Sequence, residues 1–158
     1  MASIEQFLDG GSKKFEEDFL SAHNAYRKQH STPSLQISRE LCASAQKWAD
    51  HLAETGKKDH SGPGENLYFK IGCLKKLKGN EPVDSWYKEI KDYDYGKPEF
   101  GLQTGHFTQV VWKGSQELGC GVATDGKGCI VVVGQYKPPG NINMPGEFEK
   151  NVLPAVTN

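Results

Sequence analysis

No apolar run in this chain approaches the ~18 residues that would suggest a membrane-spanning helix, so none is expected. An excess of basic charge is missing too. Nineteen Lys and Arg against 20 Asp and Glu give a net charge of −1, which argues against a dedicated nucleic-acid binder. There is no His-Glu-x-x-His helix of the zincin type and no Gly-x-Ser-x-Gly elbow for a nucleophilic serine. No Asn-x-Ser/Thr acceptor occurs. The four cysteines, Cys42, Cys73, Cys120 and Cys129, follow no zinc or redox spacing. Residues 1–6 carry no basic segment followed by an apolar stretch, and Ala2 is not the glycine that myristoylation needs. The expectation is an intracellular chain with reduced thiols, secretion requiring a leader upstream.

What is present fits one domain with one sizeable core in 158 residues. Residues 1–11 read as a flexible lead-in ending in Gly10-Gly11, and 12–158 as the domain. A helix is expected from Lys13 to His30, with Phe15, Phe19, Ala22 and Tyr26 at helical spacing and Ser12 as its N-cap. On that helix His23 and Arg27 read adequately as a polar flank. A second helix is expected over 39–55, between the N-cap Ser38 and the stop Gly56. A turn-rich loop, 57–66, leads to a strand over 67–71. Asn80-Glu81-Pro82 opens a third helix with Val83, Trp86, Tyr87 and Ile90 as its stripe. Two strands, 118–124 and 129–137, join through Asp125-Gly126-Lys127-Gly128. By propensity alone, Phe107–Trp112 favours a strand.

Four elements then stand out: His23-Asn24-Ala25-Tyr26-Arg27, Gly64-Glu65-Asn66-Leu67, the run Gly105-His106-Phe107-Thr108-Gln109-Val110-Val111-Trp112, and Val131 through Asn141 with its Tyr136-Lys137-Pro138-Pro139-Gly140-Asn141 ending. In this order they resemble the signatures of the CAP superfamily, which joins cysteine-rich secretory proteins, antigen 5 and plant pathogenesis-related proteins of group one. The resemblance covers roughly residues 13 to 153. It implies an α+β fold, a three-layer α-β-α sandwich with a central antiparallel sheet, and a short helix rather than a strand at Phe107–Trp112. Where secreted members carry a cysteine this chain has Gly134. That departure, with the missing leader, points to the intracellular, Golgi-associated branch and the cytosolic face of Golgi membranes.

The resemblance also implies a central cleft formed by His60, Glu65, Glu89 and His106. Neutral imidazoles suit Zn2+ or another divalent cation, and the carboxylates can ligate it or fix the rings. Metal held by His60 and His106 with waters would be an open, non-obligatory site. Two other readings stay open for the same groups: a hydrogen-bonded polar cleft, and a metal-dependent hydrolase with Glu65 or Glu89 as base. Tyr93, Tyr95 and Phe100 match the aromatic spacing of caveolin-type segments, in a loop that the family associates with sterol. Those aromatics could equally pin a long loop to the core. Lys70, Lys75, Lys76 and Lys78 lie among Ile71, Cys73, Leu74 and Leu77, a mixture that suits an anionic membrane surface or a solvated loop. The function expected is a non-enzymatic, lipid- or sterol-binding, peripherally membrane-associated protein with no nucleic-acid partner. The alternatives are the hydrolase and a dimerising protein-interaction scaffold.

Overall fold

The computed structural model describes residues 4–72 and 75–156. Helix α1 (Gly11–Gln29) is followed by the two-residue strand β1 (Gln36–Ile37) and by α2 (Arg39–Thr55). Strand β2 (Glu65–Ile71) leads to α3 (Asn80–Tyr87), which tightens into a 3-10 turn at Lys88–Asp92. A short α4 (Gly105–Val110), strands β3 (Glu117–Thr124) and β4 (Cys129–Lys137), and α5 (Glu147–Asn151) complete the described chain. The sheet order is β1-β3-β4-β2. β2, β4 and β3 are antiparallel, as expected, and β1 adds a parallel edge through Gln36↔Glu117.

Both faces of the sheet are covered, so β4 is buried almost without a break instead of alternating with solvent. Its even side chains, Ile130, Val132 and Tyr136, join Phe15, Phe19, Val83 and Trp86 from α1 and α3 in the larger core. The odd ones, Val131 and Val133, meet Ala45, Ala49 and Leu52 of α2. Small residues let α2 come close: a Cβ at Gly121 would stand 2.4 Å from the backbone of Ala45. α2 matches its expected limits because every signal is local, with Ser38 Oγ accepting from the Leu41 N–H and Gly56 closing in the left-handed region.

Three expectations change at α1. Its cap is Gly10, not Ser12, whose hydroxyl donates to Glu5 instead. Leu8, inside the stretch expected as lead-in, is buried and bridges to Leu77. His23 and Arg27 are not a polar flank, for both are fully buried. Arg27 donates to four backbone carbonyls, Pro33 at 2.7 Å, Val110 at 3.0 Å, Trp112 at 2.9 Å and Ser115 at 2.9 Å. A buried guanidinium is tolerable only with its donors satisfied, and here backbone oxygens do that work. Burial brings its pKa down to about 10. Cys42, Cys120 and Cys129 are free, as expected; Cys73 lies outside the described residues. Gly134 stands directly across the ladder from Cys120.

Candidate functional site

The short helix α4 holds its place against the β propensity of its residues. The Glu89 carboxylate, from the turn after α3, accepts the His106 and Phe107 backbone N–H groups at 3.0 and 3.1 Å. These are donors that a helix start leaves unpaired, and a carboxylate there also meets the positive end of the helix. At the other end Arg27 collects the Val110 and Trp112 carbonyls.

Glu89 does a second thing. Its other oxygen lies 2.7 Å from Nδ1 of His106, a contact in which Nδ1–H donates, so the tautomer it favours in a neutral ring leaves Nε2 as the acceptor nitrogen. The ring also stacks on Trp86, with centroids 6.1 Å apart and planes 12° apart. Asn66 fixes the same turn from the sheet by donating to the His106 carbonyl at 3.1 Å. Behind Asn66 runs a buried relay. Asn66 Nδ2 lies 3.2 Å from Tyr136 Oη, which lies 2.6 Å from His23 Nε2, and His23 Nδ1 donates to the Phe19 carbonyl at 2.8 Å. Burial depresses the His23 pKa to about 3, so this imidazole is a neutral structural acceptor.

Across the cleft, Glu65 opens β2. It accepts from the Ser61 N–H at 2.8 Å, from the Ser61 hydroxyl, and from Gln135 Nε2 at 2.9 Å, with His60 Nδ1 at 3.4 Å. Burial alone would raise the Glu65 pKa, but the hydrogen bonds from His60, Ser61 and Gln135 outweigh it and the net shift is downward. Glu65 is therefore a carboxylate at neutral pH.

His60, Glu65 and His106, separated by up to 46 residues in sequence, line one cavity of about 160 Å³ together with Asn66, Gly105 and Asn141. Its rim is Phe100 and Leu102, the latter 92% exposed. Glu89, expected in the same cleft, is not among the lining residues; it stands behind His106. Among the described residues no three His, Cys, Asp or Glu side chains converge as a metal-ligand set. What the cleft offers a cation is two imidazoles, each with one nitrogen turned to a carboxylate.

The other expected residues fall into two places. Tyr93 is buried and stacks edge-on against Tyr95 and at a tilt against Phe107, while Tyr95 and Phe100 stay partly exposed. Tyr93, Phe100 and Leu102 line a second cavity of about 390 Å³ that adjoins the cleft. Tyr93 Oη is buried with no hydrogen-bond partner among the described residues. Lys70, Lys75, Lys76 and Lys78 gather around a third concavity at the opposite end of β2. Leu102 was not singled out from sequence, and Asn66, Gln135 and Asn141 stand inside the motifs quoted there without a site role. Asn66 and Gln135 carried a usable signal: polar side chains inside buried strands need partners, and theirs lie in the site.

Known proteins agree with this architecture. The family model for CAP, the cysteine-rich secretory protein family, matches residues 20–136. The chain is 40% identical to the human Golgi-associated plant pathogenesis-related protein 1, over 90% of this chain and 95% of that one. It is 41% identical to Protein PRY2 of Saccharomyces cerevisiae over 89% of its own length, spanning 41% of that longer protein. Among solved structures, the hookworm platelet inhibitor superposes with a TM-score of 0.73 at 22% identity, covering 91% of this chain and 80% of the other. NaASP2, solved with Zn2+, gives 0.68 at 22% identity over 87% and 86%. The chain belongs to the CAP, or cysteine-rich secretory protein, family.

Proposed function

We propose that this chain is a non-enzymatic CAP protein that binds a sterol or similar lipid, associates peripherally with membranes, and accepts a divalent cation such as Zn2+ at His60 and His106. The observation that carries the reading is the pair of adjoining cavities with Phe100 and Leu102 as common walls. Their sizes support this division of occupants. The polar cleft of about 160 Å³ is below the ≈300–1,000 Å³ of pockets for drug-sized ligands, and its imidazoles and carboxylate suit a hydrated cation. The loop cavity of about 390 Å³ is within that range.

Tyr93, Phe100 and Leu102 give the loop cavity an apolar wall that suits the body of a sterol or similar lipid, beside the charged Asp92, Asp94, Lys97 and Glu99 and the polar Gln103 and Thr104. Covering Leu102 and Phe100 removes apolar surface from water, at roughly 25 cal/mol per Å². Tyr93 supplies the polar end. Burial raises its pKa, so the hydroxyl stays protonated at neutral pH and can donate to a ligand oxygen.

The polar groups support binding over turnover. The Glu65 carboxylate is held by Ser61, Gln135 and His60, and Glu89 is committed to helix α4 and the His106 ring. The human relative named Golgi-associated supports placement at Golgi membranes. Saturation binding of radiolabelled cholesterol by the purified protein tests the reading. Tyr93→Phe should weaken binding by roughly five-fold, the loss of one neutral hydrogen bond, and Leu102→Ser should weaken it further. Absence of saturable binding, or binding indifferent to both substitutions, would refute it. Ester or peptide hydrolysis abolished by chelation would favour the enzyme instead.

A further inference from the structure

We infer that the basic concavity at the far end of β2 is the face by which the protein sits on an anionic bilayer. This rests on the peripheral membrane association proposed above and names the surface responsible. Lys70, Lys75, Lys76 and Lys78 wall a concavity of about 480 Å³ in which, among the described lining residues, Glu81 is the acidic side chain. Lysines thus outnumber the acidic side chains in the described lining, and the Glu81 carboxylate accepts the Lys78 backbone N–H at 2.7 Å at the start of α3.

The lysines are held in position by the fold. Leu77 is buried and paired with the N-terminal segment, its N–H donating to the Phe7 carbonyl at 2.8 Å and its carbonyl accepting from Asp9 at 2.9 Å. In an extended segment neighbouring side chains alternate, so anchoring Leu77 inward turns Lys76 and Lys78 outward together. Lys70 comes from the sheet, one residue before Ile71. Ile71 is 73% exposed, on the opposite face of the strand end, so it flanks the lysines at the tip. A planar surface meeting this tip takes phosphates into the concavity and an isoleucine into its apolar boundary. Neighbouring charges grade the lysines. Lys78 also borders Asp9 and Asp18 on its other side, and Asp18 is bonded to Lys14 at 2.6 Å. Lys78 is therefore the weakest contributor of the four.

Six residue steps of strand separate Glu65 in the cleft from Ile71 at the tip, roughly 20 Å at about 3.3 Å per residue. That exceeds the ~8 Å screening length at physiological salt, so the His/Glu cleft and the docking face act independently.

Flotation of the full chain with phosphatidylcholine vesicles, with and without phosphatidylserine, tests the assignment. Binding should require phosphatidylserine and fall steeply with salt. Lys70→Gln, Lys75→Gln and Lys76→Gln should each weaken it by roughly five-fold, about 1 kcal/mol per lysine near the surface, and Lys78→Gln by less. Ile71→Ser should weaken binding without changing its salt dependence. His60→Ala and His106→Ala should leave it intact. No preference for phosphatidylserine, or binding insensitive to the lysine substitutions, overturns the inference. Release by inorganic phosphate at constant ionic strength would also overturn it, in favour of a soluble anion. Cholesterol binding measured without vesicles is read separately, so failure here and failure of the sterol reading are distinguishable.

Discussion

Glu89→Gln separates the two jobs of that side chain. In the native site one oxygen accepts the His106 and Phe107 N–H groups, and the other accepts from His106 Nδ1. A glutamine can keep its carbonyl oxygen on the backbone donors. Its NH2 group must then face Nδ1, and two donors cannot pair. The imidazole answers by moving its proton: Nδ1 accepts from the amide and Nε2 becomes the protonated nitrogen. A protonated Nε2 cannot ligate a metal. Fold stability should fall only by about 1–2 kcal/mol, the lost charge at the start of α4, whereas zinc affinity should fall by about 10–100-fold or more. Glu89→Ala removes all three acceptor contacts and should cost about 3 kcal/mol as well as zinc binding. Calorimetric titration with zinc beside urea unfolding reads both quantities. Zinc affinity unchanged in Glu89→Gln, while His106→Ala loses it, would refute the tautomer argument.

Acidification should destabilise the fold before the carboxylates titrate. The folded pKa of His23 is depressed to about 3 from 6.5, so the unfolded chain binds the extra proton; stability is full above about pH 6.5 and is lost as pH falls towards 3. The loss is on the order of 4 kcal/mol, read as the slope of urea midpoints against pH, and His30, whose pKa burial also lowers, adds with the same sign. Arg27→Met should cost about 3 kcal/mol in urea unfolding, four orphaned carbonyls offset by relief of a buried charge; a loss under about 1 kcal/mol would contradict its role. Gly121→Ala should lower the thermal midpoint, because the methyl would meet the Ala45 backbone at 2.4 Å and α2 must shift at a cost of about 1–3 kcal/mol; an unchanged midpoint would deny that close contact.

How much was legible in sequence follows the range of the forces involved. α2 was readable to the residue because cap, stripe and stop all act within a few positions. α4 was not readable from propensity, since Thr108, Val110 and Val111 argue for a strand. Its helix is imposed by Glu89, 17 residues before His106, and by Arg27, 83 residues before Val110. Only the family resemblance carried that information. His23 and Arg27 looked like ordinary polar helix positions because their partners, Tyr136 and the 110–115 carbonyls, lie far along the chain. The cleft residues were named from the resemblance, yet that Glu89 stands behind His106, and that Leu102 walls two cavities, are facts of packing.

The most direct test of the account is a crystal structure of the protein grown with cholesterol. It should show the sterol against Phe100 and Leu102 with its hydroxyl within hydrogen-bond distance of Tyr93 Oη. Sterol bound elsewhere, with the Tyr93 hydroxyl still unpartnered and the loop cavity empty, would contradict it.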